Sequence, residues 1–177
     1  MDYKKVRHTL RVMSATCRLL LGGSSYSFNG KVVLITGGSR GLGLVMARQL
    51  ADQGARLALC ARDKAELQRA ADELRARGSE VLTYAGDVSV NEQARGAVEA
   101  TVARFGRLDV LINDAGIIQV GPLQHMELED FRNALGVHFW GPLHTMLAAI
   151  PHLRRGGGGR IVNIASIGGK LPIPQLA

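Results

Sequence analysis

The chain has only two cysteines, Cys17 and Cys60, in 177 residues. A disulfide framework or a cysteine-bound metal needs more of them at regular spacing, so both are excluded and a reducing compartment is the default. Cys60 lies in an apolar run and reads as a small core residue. No stretch is apolar for long enough to span a bilayer. Arg18 interrupts the apolar run near the N-terminus, which disfavours a secretory signal. An evenly spread positive charge is also lacking. The net charge is +7, but Lys4, Lys5, Arg7, Arg11 and Arg18 against Asp2 place +4 of it in residues 1–30, leaving only +3 for the rest. Nucleic-acid binding is therefore a poor account of the high pI.

Residues 4–21 show a helical stripe of Val6, Leu10, Met13, Cys17 and Leu20 or Leu21, with Lys4, Arg7, Arg11 and Arg18 on another face. A basic amphipathic helix of this kind suits peripheral contact with an anionic membrane or organelle targeting. Without such a role for residues 1–21, the protein is expected to be cytoplasmic. Gly22 to Gly30 reads as a linker. The chain thus divides into an extension at 1–29 and one domain at 30–177, large enough for a real core.

The domain is organised around residues 31–43, Lys-Val-Val-Leu-Ile-Thr-Gly-Gly-Ser-Arg-Gly-Leu-Gly. Val32 to Ile35 suit a strand buried on both faces. Leu42, Val45, Met46 and Leu50 are spaced for a helix. Strand, glycine turn and helix bring backbone N–H groups and a positive helix end to one point, which suits a phosphate. Gly37, Gly41 and Gly43 let a diphosphate approach the main chain. The spacing, T-G-x-x-x-G-x-G over Thr36 to Gly43, differs from the G-x-G-x-x-G fingerprint.

Further strands are expected at 56–61, 80–84, 108–113 and 160–165, and helices at 63–77, 89–105 and 127–153. Asp63 and Glu66 suggest a capping box, Gly78 and Gly106 suggest stops, and Gly136, Gly141 and Pro142 should kink or divide the last helix. This alternation predicts an α/β fold, a doubly wound parallel sheet of Rossmann type. Ligands of such sheets bind past the strand carboxyl ends, where Thr36, Ala61, Asp87, Asn113 and Ser166 should converge. After the second strand, NAD-preferring sites place Asp or Glu; here stand Ala61 and Arg62, and a guanidinium can pair with the 2′-phosphate of NADP. Arg40 in the glycine turn adds a second positive charge. Asp87 also suits the cap of the following helix, with Ser89 competing.

Thr36-Gly37-Gly38-Ser39-Arg40-Gly41-Leu42-Gly43 resembles the cofactor motif of the short-chain dehydrogenase/reductase family, and the likeness runs from about residue 30 to the last residue. It implies an oxidoreductase that moves hydride between a nicotinamide dinucleotide, NADP(H) rather than NAD(H), and a small-molecule carbonyl or secondary alcohol. It implies cofactor contacts from Thr36, Gly37, Ser39, Arg40, Gly41, Leu42, Gly43 and Arg62. Asp87-Val88 resembles the family's adenine-contacting pair. Asn113-Asp114-Ala115-Gly116 resembles its N-N-A-G segment, with Asn113, Ala115 and Gly116 matching and Asp114 replacing the second Asn. A carboxylate only accepts where an amide also donates, so Asp114 should weaken local strand contacts and bring negative charge near the cofactor.

Val137-His138-Phe139-Trp140-Gly141 resembles V-N-x-x-G, which puts His138 at the family's catalytic Asn. An imidazole there either bonds a backbone group or a water, or is simply packed in the helix. Ile161 to Gly169 resembles the segment of the catalytic serine, matched by Ser166, which would hold the substrate carbonyl oxygen. The family's Tyr-x-x-x-Lys pair would fall beyond Ala177, as would the oligomer-forming helix and the substrate loop. The expectations are a sheet incomplete at its C-terminal edge, an aggregation-prone fifth strand, a homo-oligomeric full-length form, and little turnover by this chain without its general acid. The alternative is a non-catalytic dinucleotide-binding module or a defective truncated product.

Overall fold

A computed structural model describes residues 26–118 and 121–166. The basic amphipathic stretch at 1–21, the start of the linker and the Ile167–Gly169 end of the serine segment lie outside the described residues. Five parallel strands form one sheet in the order β3-β2-β1-β4-β5. They are β1 (Val32–Thr36), β2 (Arg56–Ala61), β3 (Val81–Ala85), β4 (Val110–Asn113) and β5 (Arg160–Asn163). The helices are α1 (Gly41–Ala51), α2 (Lys64–Ala76), α3 (Asn91–Phe105), α4 (Leu128–Leu135) and α5 (Gly141–Arg155), with a short 3-10 turn at Leu123–His125.

Strand residues alternate between faces, and the two cores follow that alternation. Val33, Ile35, Leu57 and Leu59 meet Ala47 and Leu50 of α1 and Leu67, Ala70 and Leu74 of α2. Val32, Leu34, Ala58 and Cys60 meet Ala97 and Val98 of α3 and Ala149 and Leu153 of α5. β1 is buried along its whole length, and each of its larger side chains contributes about 2 kcal/mol by leaving water. The sheet is doubly wound, as the alternating sequence predicts. Chain order reverses at β1, between β2 and β4. Among the described residues β5 pairs on one side only, and Val162 and Ile164 at this edge are exposed. No helix among the described residues is long and apolar enough to cross a membrane.

Local details differ from the sequence reading in four places. Tyr26 and Phe28, in the stretch read as linker, pack against the first core cluster, and Gly30 N–H donates to Gly54 O at 2.9 Å. Asp63 caps α2 by accepting from Glu66 N–H at 2.9 Å, but the Glu66 carboxylate turns to the glycine turn instead of completing a capping box. Neither Asp87 nor Ser89 caps α3. Its N-cap is Val90, while Asp87 Oδ1 accepts from Ser89 N–H at 2.9 Å and Ser89 Oγ at 2.7 Å and closes a local turn. The long helix is divided by a π-helical turn, Gly136–Trp140, ahead of Pro142. Pro142 sits just after it, in the first turn of α5, where it cannot donate the bond that a continuing helix would make.

At the amino end of the sheet, Asp109 is buried just before β4. It accepts from Val32 N–H at 2.9 Å and Lys31 Nζ at 3.4 Å and pairs with Arg107. Burial pushes its carboxyl up, but the Val32 N–H, Arg107 and Lys31 outweigh this and hold it below the usual range.

Candidate functional site

The site is built at the opposite, carboxyl end, over the strand where chain order reverses. Thr36 ends β1, and its buried hydroxyl accepts from Asp114 N–H at 3.1 Å and Ala115 N–H at 3.2 Å. This ties the end of β1 to the loop after β4. Gly37 then turns with φ +73° and Gly41 with φ +56°, the left-handed region that glycine enters without a Cβ penalty. A Cβ on Gly37 would lie 2.9 Å from the Ala115 backbone, whereas one on Gly41 would stand in open space. A Cβ on Gly43 would strike Gly37 O and lie 2.8 Å from Asp114 Oδ2. The loop is thus closed by contacts at Gly37 and Gly43 and open at Gly41. No acidic residue lies in the first turn of α1, and Arg40 makes no side-chain cap bond. The helix presents a positive end to the glycine turn, and the residues present fit a dinucleotide diphosphate.

One wall is formed by the ends of β2 and β3. Ser39 Oγ donates to Glu66 Oε2 at 3.3 Å, and Arg40 Nη1 lies 3.4 Å from Glu66 Oε1. Arg62 Nη1 is 3.9 Å from Asp87 Oδ2, with the guanidinium 65% exposed. Asp63 is held below the usual carboxylate range, first by the Glu66 N–H and more weakly by Arg69 and Arg40. Arg40 and Arg62 thus both stand on this wall. Leu42 is exposed at the start of α1. Val88, by contrast, is buried in the second core cluster beneath α5, which leaves only its main chain for the cleft; its carbonyl lies 3.3 Å from His144 Nδ1. Cys60 is inert below this wall, because burial and then the Asp87 charge push its thiol up to about 12.

The other wall is the end of β4 and β5. Asn113 Nδ2 donates to Asn163 Oδ1 at 2.9 Å, and Thr145 Oγ of α5 donates to Asn113 Oδ1 at 2.8 Å. Asn113 thus fastens β4 to β5 and α5. Thr145 and Asn163 were not singled out from sequence, since only the tertiary fold brings residues so far apart in the chain together. Asp114 has its backbone N–H satisfied by Thr36, and its carboxyl accepts from Gly43 N–H. The expected weakening of strand contacts does not occur at β4: its register with β5 runs unbroken from Val110 to Asn113. Burial outweighs the Gly43 bond and pushes the Asp114 carboxyl up to about 6.

His138 sits in the π-helical turn, with Nε2 2.9 Å from Ile117 O and its ring edge against Gly116. It holds the loop after β4, which is the backbone-bonding option of the two considered. Ser166 is exposed just beyond β5. The other histidines of α5 have neighbours of their own: His144 stacks on Trp140, and His152 lies 3.2 Å from Glu99. No group of His, Cys, Asp and Glu among the described residues could hold a metal ion.

A doubly wound parallel sheet with a glycine cradle at its reversal point defines a nucleotide-binding α/β domain. The family model described as short chain dehydrogenase matches residues 31–177, and the chain belongs to that family. It is 41% identical over 155 residues to 11-beta-hydroxysteroid dehydrogenase-like 4A of Arabidopsis thaliana, covering 86% of this chain and 52% of that protein. Among solved structures, a metagenomic short-chain oxidoreductase in complex with NADP superposes with TM-score 0.80 at 35% identity, over 86% of this chain and 69% of that one. NAD+-bound xylitol dehydrogenase superposes with TM-score 0.81 at 34% identity, over 85% and 58%. The chain spans about half the length of the curated relatives it matches. Its relatives are named as dehydrogenases and oxidoreductases, and solved ones hold NADP or NAD+.

Proposed function

We propose that this chain is the coenzyme-binding part of an NADP(H)-dependent oxidoreductase acting on a carbonyl or secondary alcohol. The observation that carries the coenzyme choice is the end of β2. Ala61 offers no carboxylate for ribose hydroxyls, and Arg62 is exposed with only a long contact to Asp87. A guanidinium there can pair with a 2′-phosphate. Relatives in complex with NAD and with NADP are about equally similar, so the preference rests on this chain's own residues.

The coenzyme supplies the hydride chemistry when bound. The glycine cradle and the end of α1 would take the diphosphate, Arg62 and Arg40 the 2′-phosphate, and the Asn113–Gly116 loop would flank the nicotinamide side. Ser166 would donate a hydrogen bond to the substrate carbonyl oxygen, and His138 would position the loop through Ile117. The names of the hydroxysteroid dehydrogenase relatives support a steroid-like alcohol or ketone, whereas xylitol dehydrogenase is named for an open-chain polyol. Residues 1–21 support peripheral membrane contact or organelle targeting as an alternative to a cytoplasmic location.

Calorimetry with NADP+ and NAD+ tests the reading. NADP+ should bind at least about tenfold tighter, equivalent to about 1.4 kcal/mol, and Arg62→Ala should remove most of that margin. Equal affinities in the wild-type chain would overturn it. A second reading, a binding module without turnover, is favoured by His138 and Asp114, which stand where the family pattern has Asn. The 177-residue polypeptide by itself is then expected to oxidise NADPH against a ketone panel at a negligible rate. A rate within about tenfold of a chain extended through a Tyr-x-x-x-Lys segment would count against this second reading.

A further inference from the structure

We infer that Asp114 couples coenzyme binding to proton uptake: its carboxyl shares the N-terminal end of α1 with the coenzyme diphosphate, and binding drives a proton onto it. The inference rests on the dinucleotide reading above. Its geometry is independent of any ligand. The first turn of α1 contains no acidic residue of its own. The carboxyl that reaches it comes from the end of β4, accepts from Gly43 N–H, and lies 2.8 Å from where a Gly43 Cβ would be. It therefore stands in the cradle, at the helix end that attracts the diphosphate.

The charged surroundings do not compensate a second anion. Arg40, in the same turn, is engaged with Glu66 of α2. Arg62 and Asp87, at the ends of β2 and β3, face each other. His138, on the π-helical turn, points Nε2 at Ile117 O. The end of β1 contributes only the Thr36 hydroxyl, which receives the Asp114 and Ala115 N–H groups. No ion pair to Asp114 forms among the described residues. Burial already favours the protonated carboxyl. A diphosphate arriving at the same N–H groups adds like charge at close range, which favours it further. Proton and coenzyme then bind with mutual reinforcement. An amide in this place would have no charge to lose.

The test is calorimetry of the 177-residue chain with NADP+ and NAD+, in buffers of different ionisation enthalpy that contain no phosphate. At about pH 7.5 the wild type should take up close to one proton more per coenzyme bound than Asp114→Asn does. Comparing the two chains with the same coenzyme cancels the titration of the ligand's own 2′-phosphate. Asp114→Asn should also bind tighter at that pH, by about thirtyfold, and the two should converge as pH falls below the Asp114 titration. Should Asp114→Asn fold poorly, Asp114→Ser serves, and the uptake measured with NAD+ on the wild type needs no variant, because that coenzyme's diphosphate stays ionised across neutral pH. Binding with equal proton uptake in wild type and variant overturns the coupling and leaves the dinucleotide reading standing. Failure of the folded wild type and variant to bind either coenzyme at any pH overturns both.

Discussion

Two aspartates bracket β4, and the fold treats them in opposite ways. Asp109, at the amino end, is buried with Val32 N–H, Lys31 and Arg107 around its oxygens. Asp114, at the carboxyl end, is partly buried with one backbone N–H and no ion pair among the described residues. The first carboxyl is held down and the second is pushed up to about 6. One residue type on one strand thus serves structure at one end and is left under electrostatic tension at the other. A buried charge is stable when its partners replace the water it lost. The amino end supplies those partners. The carboxyl end supplies only the Gly43 N–H.

The contrast can be broken most severely at Asp109. Asp109→Ala leaves Val32 N–H unpaired and two cations facing each other, and should cost about 3 kcal/mol in urea unfolding. A loss below about 1 kcal/mol would mean that Asp109 is no better satisfied than Asp114. The next effect has the opposite sign. Asp114 has a folded-state pKa raised from 3.8 to about 6, so the protonated group favours folding below its unfolded pKa, and that advantage is lost as pH rises through the folded one. Asp114→Asn should therefore stabilise the domain near pH 7.5 by about 1 kcal/mol, after discounting the full shift for partial exposure, and by nothing below about pH 4. Asp109 works the other way: its contribution is present above its unfolded pKa and fades only as pH falls through the lowered folded one. Stability that does not fall between pH 5 and 7.5 would contradict the assignment to Asp114. The smallest change is Arg107→Ala. Its guanidinium is 42% exposed, and Lys31 and Val32 N–H remain, so about 0.5 kcal/mol should be lost. A loss as large as that of Asp109→Ala would make Arg107 the main partner.

Much of the scaffold was legible because it is written locally. β2 was placed at its observed bounds, since turn residues flank a run buried on both faces. Gly106 ends α3 with φ +77°, as a left-handed stop should. The glycine turn and the strand ends that surround it were also readable from spacing. What stayed hidden depends on partners far apart in the chain. Asp109 looks like any charged residue before a strand. Thr145 looks like one helix threonine among others, yet bonds Asn113 across 32 residues. Val88 was read as a contact of the cleft; α5 packs over its side chain, with Gly141 close enough that a Cβ there would lie 2.8 Å from it, so only its main chain is left for that contact. The interruption of the long helix was anticipated at Gly136, Gly141 and Pro142. Its form, a π-helical turn, was not, because hydrogen-bond slippage by one residue leaves no compositional mark.

That wider turn has a consequence for how this segment can change. Gly136–Trp140 accommodates one residue more than a regular helix would. Excising that one extra residue would leave a regular helix whose later turns keep their direction. Excising a second would swing everything after it by about 100° around the axis, rotating Thr145 off Asn113 and opening the brace that joins β4, β5 and α5. The irregular turn thus holds one residue of slack between α4 and α5, and no more.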